Sequence, residues 1–162
     1  MLKSTDGGAS WNTTGLNWTV SQSRTISKLL MHPTNSSILL AATSSGVWKT
    51  TNAGVSWTNT ITGNYKDMEF KPGDPATVYL SSGLSFRRST NTGDAWTSIT
   101  LPAGISGLFN RINIGVSPAN ASYVYLFASK ATDSGFLGLC RSTDSGVSFT
   151  TQSTTPNIMG YD

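Results

Sequence analysis

The sequence predicts an all-β fold built from β-propeller blades, and three observations support this prediction. One eight-residue motif occurs four times, short apolar runs of strand length recur between the copies, and helix signals are weak throughout. The motif recurs after 46, 39 and 53 residues, and four-stranded propeller blades have a spacing of roughly 40–45 residues. We therefore predict about three and a half four-stranded antiparallel blades, a fragment of a larger propeller.

The repeated motif, which we call the box, has a hydroxyl at position 1, Asp or Asn at position 3, Gly at position 5 and an aromatic residue at position 8. Asp and Asn side chains bond to backbone amides just ahead of them, and Gly adopts a positive φ without strain. Each box is therefore predicted to be a hairpin turn whose aromatic ring is at least half buried. The residues with these structural roles are Ser4, Asp6, Gly8 and Trp11; Thr50, Asn52, Gly54 and Trp57; Ser89, Asn91, Gly93 and Trp96; and Ser142, Asp144, Gly146 and Phe149.

A metal loop is the alternative interpretation of the boxes, with Asp6 and Asp144 as ligands. Two boxes have Asn at this position, and no Glu follows at the spacing of a calcium loop. The sequence also has no His, Cys or acidic cluster that would suit a transition metal. We predict neither a metal site nor a cofactor.

The boxes resemble the Asp-box, or BNR, repeat of sialidases, xyloglucanase-type glycoside hydrolases and the sortilin propeller. The segments between them also repeat, each with an apolar run that ends at Pro33, Pro72 or Pro118. The overall pattern is similar to the propellers that Bacteroidetes-type bacteria secrete, which are described as sortilin-like or glycosyl-hydrolase-like. This resemblance implies a secreted or cell-surface bacterial protein.

Composition narrows the range of partners. Charged residues make up 12% of the chain, the net charge is +3, and no basic stripe is interleaved with aromatic residues, so nucleic acid is not expected as a partner. No apolar stretch approaches the ~18 residues of a membrane span. The single cysteine, Cys140, excludes an intrachain disulfide and is predicted to be a packing residue.

The repeats divide the chain into blades whose strands a to d run outward from a central channel, with the box as the turn between strands c and d. Residues 1–16 are predicted to form half a blade, residues 25–62, 65–100 and 110–152 three fuller blades, and residues 153–162 the start of a further one. The remaining blades would come from a longer chain or from another subunit, since closed propellers have at least four.

A ligand site is predicted where strand a opens on the loop face, opposite the boxes. Alignment on the prolines places Lys28, Asp67 and Asn113 at equivalent positions, five residues before each proline. Polar residues at this end of strand a, together with aromatic residues of the adjoining loops, would contact a glycan or a polar peptide. The predicted ligand residues are Lys28, Asp67, Glu69, Arg111, Trp18 and Tyr65.

Three functions remain open. The first is a sortilin-like scaffold that binds a protein or a carbohydrate, and the second is a fragment of a sialidase- or xyloglucanase-like glycoside hydrolase with most catalytic residues outside this chain. A purely structural repeat is the third. A glycosidase needs two carboxylates, or a carboxylate and a tyrosine, around the scissile bond. Glu69 is the only glutamate and shares a strand face with Asp67, so we predict no catalytic residue in this chain.

Overall fold

The fold was derived from a computed structural model that describes residues 1–155, and it consists almost entirely of strands. A short 3-10 turn spans Val20–Gln22. The strands in chain order are β1 (Leu2–Lys3), β2 (Asn12–Thr13), β3 (Ile26–Met31), β4 (Leu39–Thr43), β5 (Gly46–Thr50), β6 (Thr58–Ile61), β7 (Tyr65–Lys71), β8 (Asp74–Ser82), β9 (Phe86–Ser89), β10 (Thr97–Ile99), β11 (Phe109–Val116), β12 (Val124–Lys130), β13 (Phe136–Ser142) and β14 (Thr150–Ser153).

These strands form three antiparallel four-stranded sheets and one two-stranded sheet, β1–β2. The first sheet has the order β3-β4-β5-β6, the second β7-β8-β9-β10 and the third β11-β12-β13-β14. Consecutive strands pair in each sheet, as in a propeller blade, so the predicted all-β propeller fold is confirmed. Of the predicted start of a further blade, residues 153–162, the part from 156 onward lies outside the described residues.

The core lies between the sheets. One cluster of fully buried apolar side chains, including Leu40 and Met68, joins the first sheet to the second. A larger cluster that includes Phe86, Phe109 and Phe149 joins the second sheet to the third. Cys140 is fully buried in this second cluster, as predicted, and burial raises the pKa of its thiol. No helix in residues 1–155 is long and apolar enough to cross a membrane.

Strand register confirms the predicted equivalence of three positions on the innermost strands. Lys28 pairs with Ala42, Asp67 with Ser81 and Asn113 with Phe127. In each sheet, position 1 of the box pairs with a residue of the neighbouring strand, and the partner named above lies three positions after that residue. Lys28, Asp67 and Asn113 therefore occupy the same position along the innermost strand of their sheets.

A network of hydrogen bonds closes each box. In the second box, the Thr50 hydroxyl donates to Asn52 Oδ1 at 2.9 Å and accepts the N–H of Gly54 at 3.1 Å. The same Asn52 oxygen accepts the N–H of Ser56 at 2.9 Å. The other three boxes form these three bonds as well. The four copies are thus the same turn, whether position 3 is Asp or Asn.

Two successive box residues have a positive φ, whereas the sequence indicated only the Gly at position 5. In the second box φ is 56° at Ala53 and 91° at Gly54. Position 4 is Gly, Ala, Thr or Ser in the four boxes, so the left-handed region at this position accepts a small side chain at a modest energetic penalty. A φ near 90° is less tolerant, which explains why position 5 is always Gly.

Burial of the box aromatics confirms the prediction in three boxes and contradicts it in the first. Trp57 and Trp96 are more than half buried and Phe149 is 9% exposed, but Trp11 is 60% exposed. The rings of the third and fourth boxes lie against residues of the preceding sheet: Trp96 Nε1 donates to Thr60, and Phe149 packs edge-on against Phe86. The first box belongs to the β1–β2 sheet, and in residues 1–155 no other sheet precedes that one, so Trp11 has no preceding sheet to pack against.

Replacing Gly54 with Ala should destabilise the protein by about 1–3 kcal/mol, because φ at this position favours Gly strongly. Chemical denaturation followed by Trp fluorescence would measure the change. The matched control is Gly104→Ala, where φ is not positive and an added Cβ would meet no atom within 4 Å. Equal effects of the two substitutions would contradict the turn geometry.

The two Asp-containing boxes should make stability dependent on acid. Hydrogen bonds from the Ser10 side chain and backbone lower the pKa of Asp6 to about 2. At Asp144 burial opposes the shift, but bonds from Ser148 and Ser142 lower the pKa to about 2 as well. A carboxylate with a lowered pKa stabilises the fold above its unfolded pKa, and this contribution is lost as the pH falls towards the folded value.

The double variant Asp6→Asn, Asp144→Asn should therefore lose less stability than the parent protein between about pH 4 and pH 2. The free energy of unfolding, measured by denaturation at several pH values, tests this expectation. Asn52 and Asn91 already form the same bonds, so the variant should fold normally at neutral pH. Parallel pH profiles for the two proteins would contradict the expectation.

Candidate ligand site on the loop face

Three of the predicted ligand residues contact one another at the channel edge. Lys28 Nζ lies 2.5 Å from Glu69 Oε1 and 3.5 Å from Asp67 Oδ1. Burial alone would lower the pKa of Lys28, but the bond and charge of Glu69, followed by those of Asp67, raise it above its usual value. Because Lys28 belongs to β3 and the two acids to β7, the cluster links the first sheet to the second.

Asp67 also links the second sheet to the third. Its Oδ1 accepts the N–H of Met68 at 2.9 Å, and its Oδ2 accepts the N–H of Ile114, in β11, at 2.8 Å. One carboxylate thus satisfies two backbone donors and one ammonium group. This arrangement holds three adjacent sheets together at the channel edge.

The other predicted ligand residues lie in separate surroundings. Arg111 is exposed and donates from Nε to Asn113 Oδ1 at 2.9 Å. Trp18 packs edge-on against Trp48, with ring centroids 6.0 Å apart, and the guanidinium of Arg24 lies 5.5 Å from its ring centre. Tyr65 lies at the start of β7 and lines a cleft that contains none of the other five residues.

This cleft, which we call the loop-face cleft, lies where the loops of the second and third sheets meet. Its volume is about 730 Å³. The walls come from the connection into β7, the turn between β8 and β9, the start of β11, and the loop that follows β12. They comprise Thr62, Gly63, Asn64, Tyr65, Lys66, Ser82, Gly83, Leu84, Ser85, Arg87, Phe109, Asn110 and Ala131.

The loop-face cleft is basic. Lys66 and Arg87 are its charged residues, and no carboxylate lines it. Arg87 Nε is buried and finds no hydrogen-bond partner in residues 1–155. Burial raises the pKa of Tyr65, whereas the charge of Arg87 and a hydrogen bond between the two side chains oppose that shift. The Arg87 guanidinium thus bonds Tyr65, while its buried Nε is an exception to the rule that buried donors are paired.

Of the residues that line the cleft, the sequence analysis named Tyr65 as a ligand residue but did not name Arg87, Lys66 or Asn110. Arg87 and Arg88 are the only adjacent basic pair in the chain. Side chains alternate along a strand, so the two arginines of β9 must point to opposite faces of the sheet. That signal was available in the sequence, but the strand assignment alone did not show which face borders the cleft.

No cluster of three His, Cys, Asp or Glu side chains suited to a metal ion occurs in the described part of the chain. His32 packs edge-on against Phe70, and its Nδ1 accepts the N–H of Thr34. The polar groups that line the loop-face cleft are cations, hydroxyls and amides.

No family model matches the chain, and no curated protein matches it either. Several solved structures share its fold. An ancestral GH74 enzyme is 23% identical with a TM-score of 0.73, and the match covers 91% of this chain and 20% of that one. The GH74 xyloglucanase from Xanthomonas campestris is 17% identical with a TM-score of 0.62, and the match covers 82% and 24% of the two chains.

An auxiliary nutrient binding protein from Bacteroides thetaiotaomicron is a third neighbour, 14% identical with a TM-score of 0.56 over 82% of this chain and 33% of that one. The chain thus spans only a fifth to a third of the length of these proteins. At such identities the similarity establishes the shared fold.

Replacing Asp67 with Ala should destabilise the protein by about 1–3 kcal/mol, because two backbone donors and Lys28 lose an acceptor. Asp133→Ala is the matched control, since this exposed carboxylate accepts the N–H of Gly135 within its own loop. Thermal and chemical unfolding of both variants would test the role of Asp67. A loss no larger than that of the control would contradict it.

Proposed function

We propose that this chain is part of a secreted or cell-surface propeller scaffold that binds a carboxylate-bearing glycan or peptide in the loop-face cleft. The observation that supports the proposal best is that two cations, Lys66 and Arg87, line the cleft with no carboxylate among its walls in the described residues. A ligand carboxylate would pair with the Arg87 guanidinium, and charge-assisted bonds of this kind are stronger than neutral ones. Lys66 would add attraction from the side of the cleft.

The other walls suit the polar part of such a ligand. Asn64, Ser82, Ser85 and Asn110 line the cleft with amide and hydroxyl groups, which both donate and accept hydrogen bonds. Leu84 is 80% exposed beside them and offers an apolar contact. A sugar ring or a short peptide presents the same mixture of polar edges and apolar faces.

A hydrolase would need carboxylates free to act as acid and base or nucleophile. Every acidic residue from position 1 to 155 already accepts a hydrogen bond or belongs to an ion pair. The ammonium of Lys28 binds both Asp67 and Glu69, the one pair that shares a strand. The similarity to GH74 enzymes concerns the fold, so binding is the better-supported function for this segment.

The proposed ligand contacts of Lys28, Asp67, Glu69, Arg111 and Trp18 remain predictions. Their existing contacts favour structural roles for the first three. Arg111 is the most accessible of the five, and its position on β11 next to Asn110 leaves it available to a ligand that extends beyond the cleft.

Arrays of neutral oligosaccharides, uronic-acid oligosaccharides and acidic or neutral peptides would test the proposal. We expect the acidic compounds to be retained, and Lys66→Ala and Arg87→Gln each to weaken binding about tenfold. Lys71→Ala is the matched control, because Lys71 ends the same strand at the opposite rim. Arg111→Ala shows whether the ligand reaches the channel.

Two outcomes would overturn the proposal. One is equal retention of neutral and acidic compounds, and the other is unchanged binding by a folded Arg87→Gln variant. Circular dichroism and the unfolding midpoint of each variant establish that a loss of binding does not reflect a loss of fold.

A further inference from the structure

Two aromatic residues line the loop-face cleft, and both are buried in its walls. Tyr65 is 3% exposed and Phe109 is 1% exposed. The Tyr65 hydroxyl donates to the carbonyl of Thr62 at 3.4 Å, and the Phe109 ring packs in the core cluster between the second and third sheets. Sugar rings bind well where an aromatic face is open to cover their apolar side. Among the wall residues of the described chain, no aromatic face of this kind is open to a ligand.

The neutral polar side chains of the walls are largely engaged within the protein. The Ser82 hydroxyl accepts two backbone N–H groups of its own turn, at 3.1 and 2.9 Å, and bonds with the Ser85 hydroxyl at 3.0 Å. The Asn110 side chain donates to Ser134 at 3.1 Å and accepts the Ser129 hydroxyl at 2.6 Å. A glycan is held mainly through its many hydroxyl groups, so its bonds here would have to compete with these existing ones.

Exposed aliphatic side chains accompany the two cations of the cleft. Leu84 lies in the turn between β8 and β9, three residues before Arg87, and is 80% exposed. Leu108 directly precedes the wall residue Phe109 and is 53% exposed, and its carbonyl accepts the N–H of Ala131, another wall residue, at 3.0 Å. Covering aliphatic surface is favourable in proportion to the area removed from water. The cleft therefore offers charge and aliphatic contact in the same place.

We propose that the ligand of the loop-face cleft is an acidic peptide segment with an aliphatic residue close to its acid. This inference rests on the proposed function and chooses the peptide over the acidic glycan. Lys66 and Arg87 pair with the Asp or Glu carboxylate of the ligand, and Leu84 packs against the aliphatic side chain. Recognition of acidic peptide motifs by basic side chains is a recurrent mode of peptide binding.

The size of the cleft limits the length of the segment. Its volume of about 730 Å³ lies within the range of ~300–1,000 Å³ that is usual for small-ligand sites. The cleft thus holds a few residues of an extended peptide and not a folded domain. Side chains two residues apart in an extended peptide point to the same side. An acid and an aliphatic residue at this spacing face the walls together.

Calorimetric titration with short synthetic compounds would test the choice of ligand. The first peptide has Asp and, two residues later, Leu among Gly and Ser, with both ends capped so that Asp provides its only carboxylate. The second peptide replaces the Leu with Ser, and the third replaces the Asp with Asn. An oligomer of galacturonic acid of similar length represents the acidic glycan. We expect the first peptide to bind about tenfold more tightly than each of the other three compounds.

The variant Leu84→Ser identifies the contact made by the aliphatic residue. It should weaken binding of the first peptide about tenfold and leave binding of the second unchanged, because the second peptide has no aliphatic side chain to lose. Val55→Ser is the matched control, since Val55 is 75% exposed but lies in the second box. Both substitutions replace exposed side chains, and the unfolding midpoint of each variant establishes that it folds normally.

Tighter binding of the galacturonic acid oligomer than of the first peptide would overturn this inference and leave the proposed function intact. Equal binding of the first and second peptides, or unchanged binding of the first peptide by Leu84→Ser, would also overturn it. If neither acidic peptide nor the oligosaccharide binds, the proposed function fails together with the inference.

Discussion

The contact between a box turn and the sheet before it is the interaction on which the rest of the structure depends. A single four-stranded sheet has two faces to bury and gains little stability alone. The second, third and fourth boxes each receive a cation from the preceding sheet, and the glycines of the third and fourth boxes also lie against Leu40 and Tyr79 of that sheet. The bonds inside the box fix the turn, and the turn fixes the spacing between sheets, so turn geometry and packing between blades are specified by the same few residues.

Asp67 and Lys28 link adjacent sheets at their inner edge, as the boxes do at the rim. Strand a has an unpaired side facing the channel, and the Asp67 carboxylate satisfies the Ile114 N–H that would otherwise be left there. Lys28 neutralises that carboxylate and Glu69. The polar residues that suggested a ligand site thus have a structural role already, which is common where charged side chains lie between packed elements.

Arg87 and Arg88 show how adjacent residues of one strand contact different neighbours. Both lie on β9, and the alternation of side chains directs them to opposite faces of the sheet. Arg88 donates to the fourth box, in the third sheet, whereas Arg87 lies beside Tyr65 of its own sheet and borders the loop-face cleft. The box turns therefore join one sheet to the next, and the longer loops at the other ends of the strands form the cleft. Such a division lets the loops vary without disturbing the packing between blades.

The sequence by itself determined the all-β class, the box turns and the equivalence of Lys28, Asp67 and Asn113, because these follow from local turn chemistry and a regular repeat. The positive φ at position 4, the exposure of Trp11 and the contacts of Lys3, Lys49 and Arg88 with the next box were decided only by the tertiary structure. Spacing along the chain does not show which residues of adjacent sheets meet. The loop-face cleft likewise combines residues from four segments that are distant along the chain, 62–66, 82–87, 109–110 and Ala131. Local preferences set each turn and strand, whereas the stacking of whole sheets decided which of their polar groups meet.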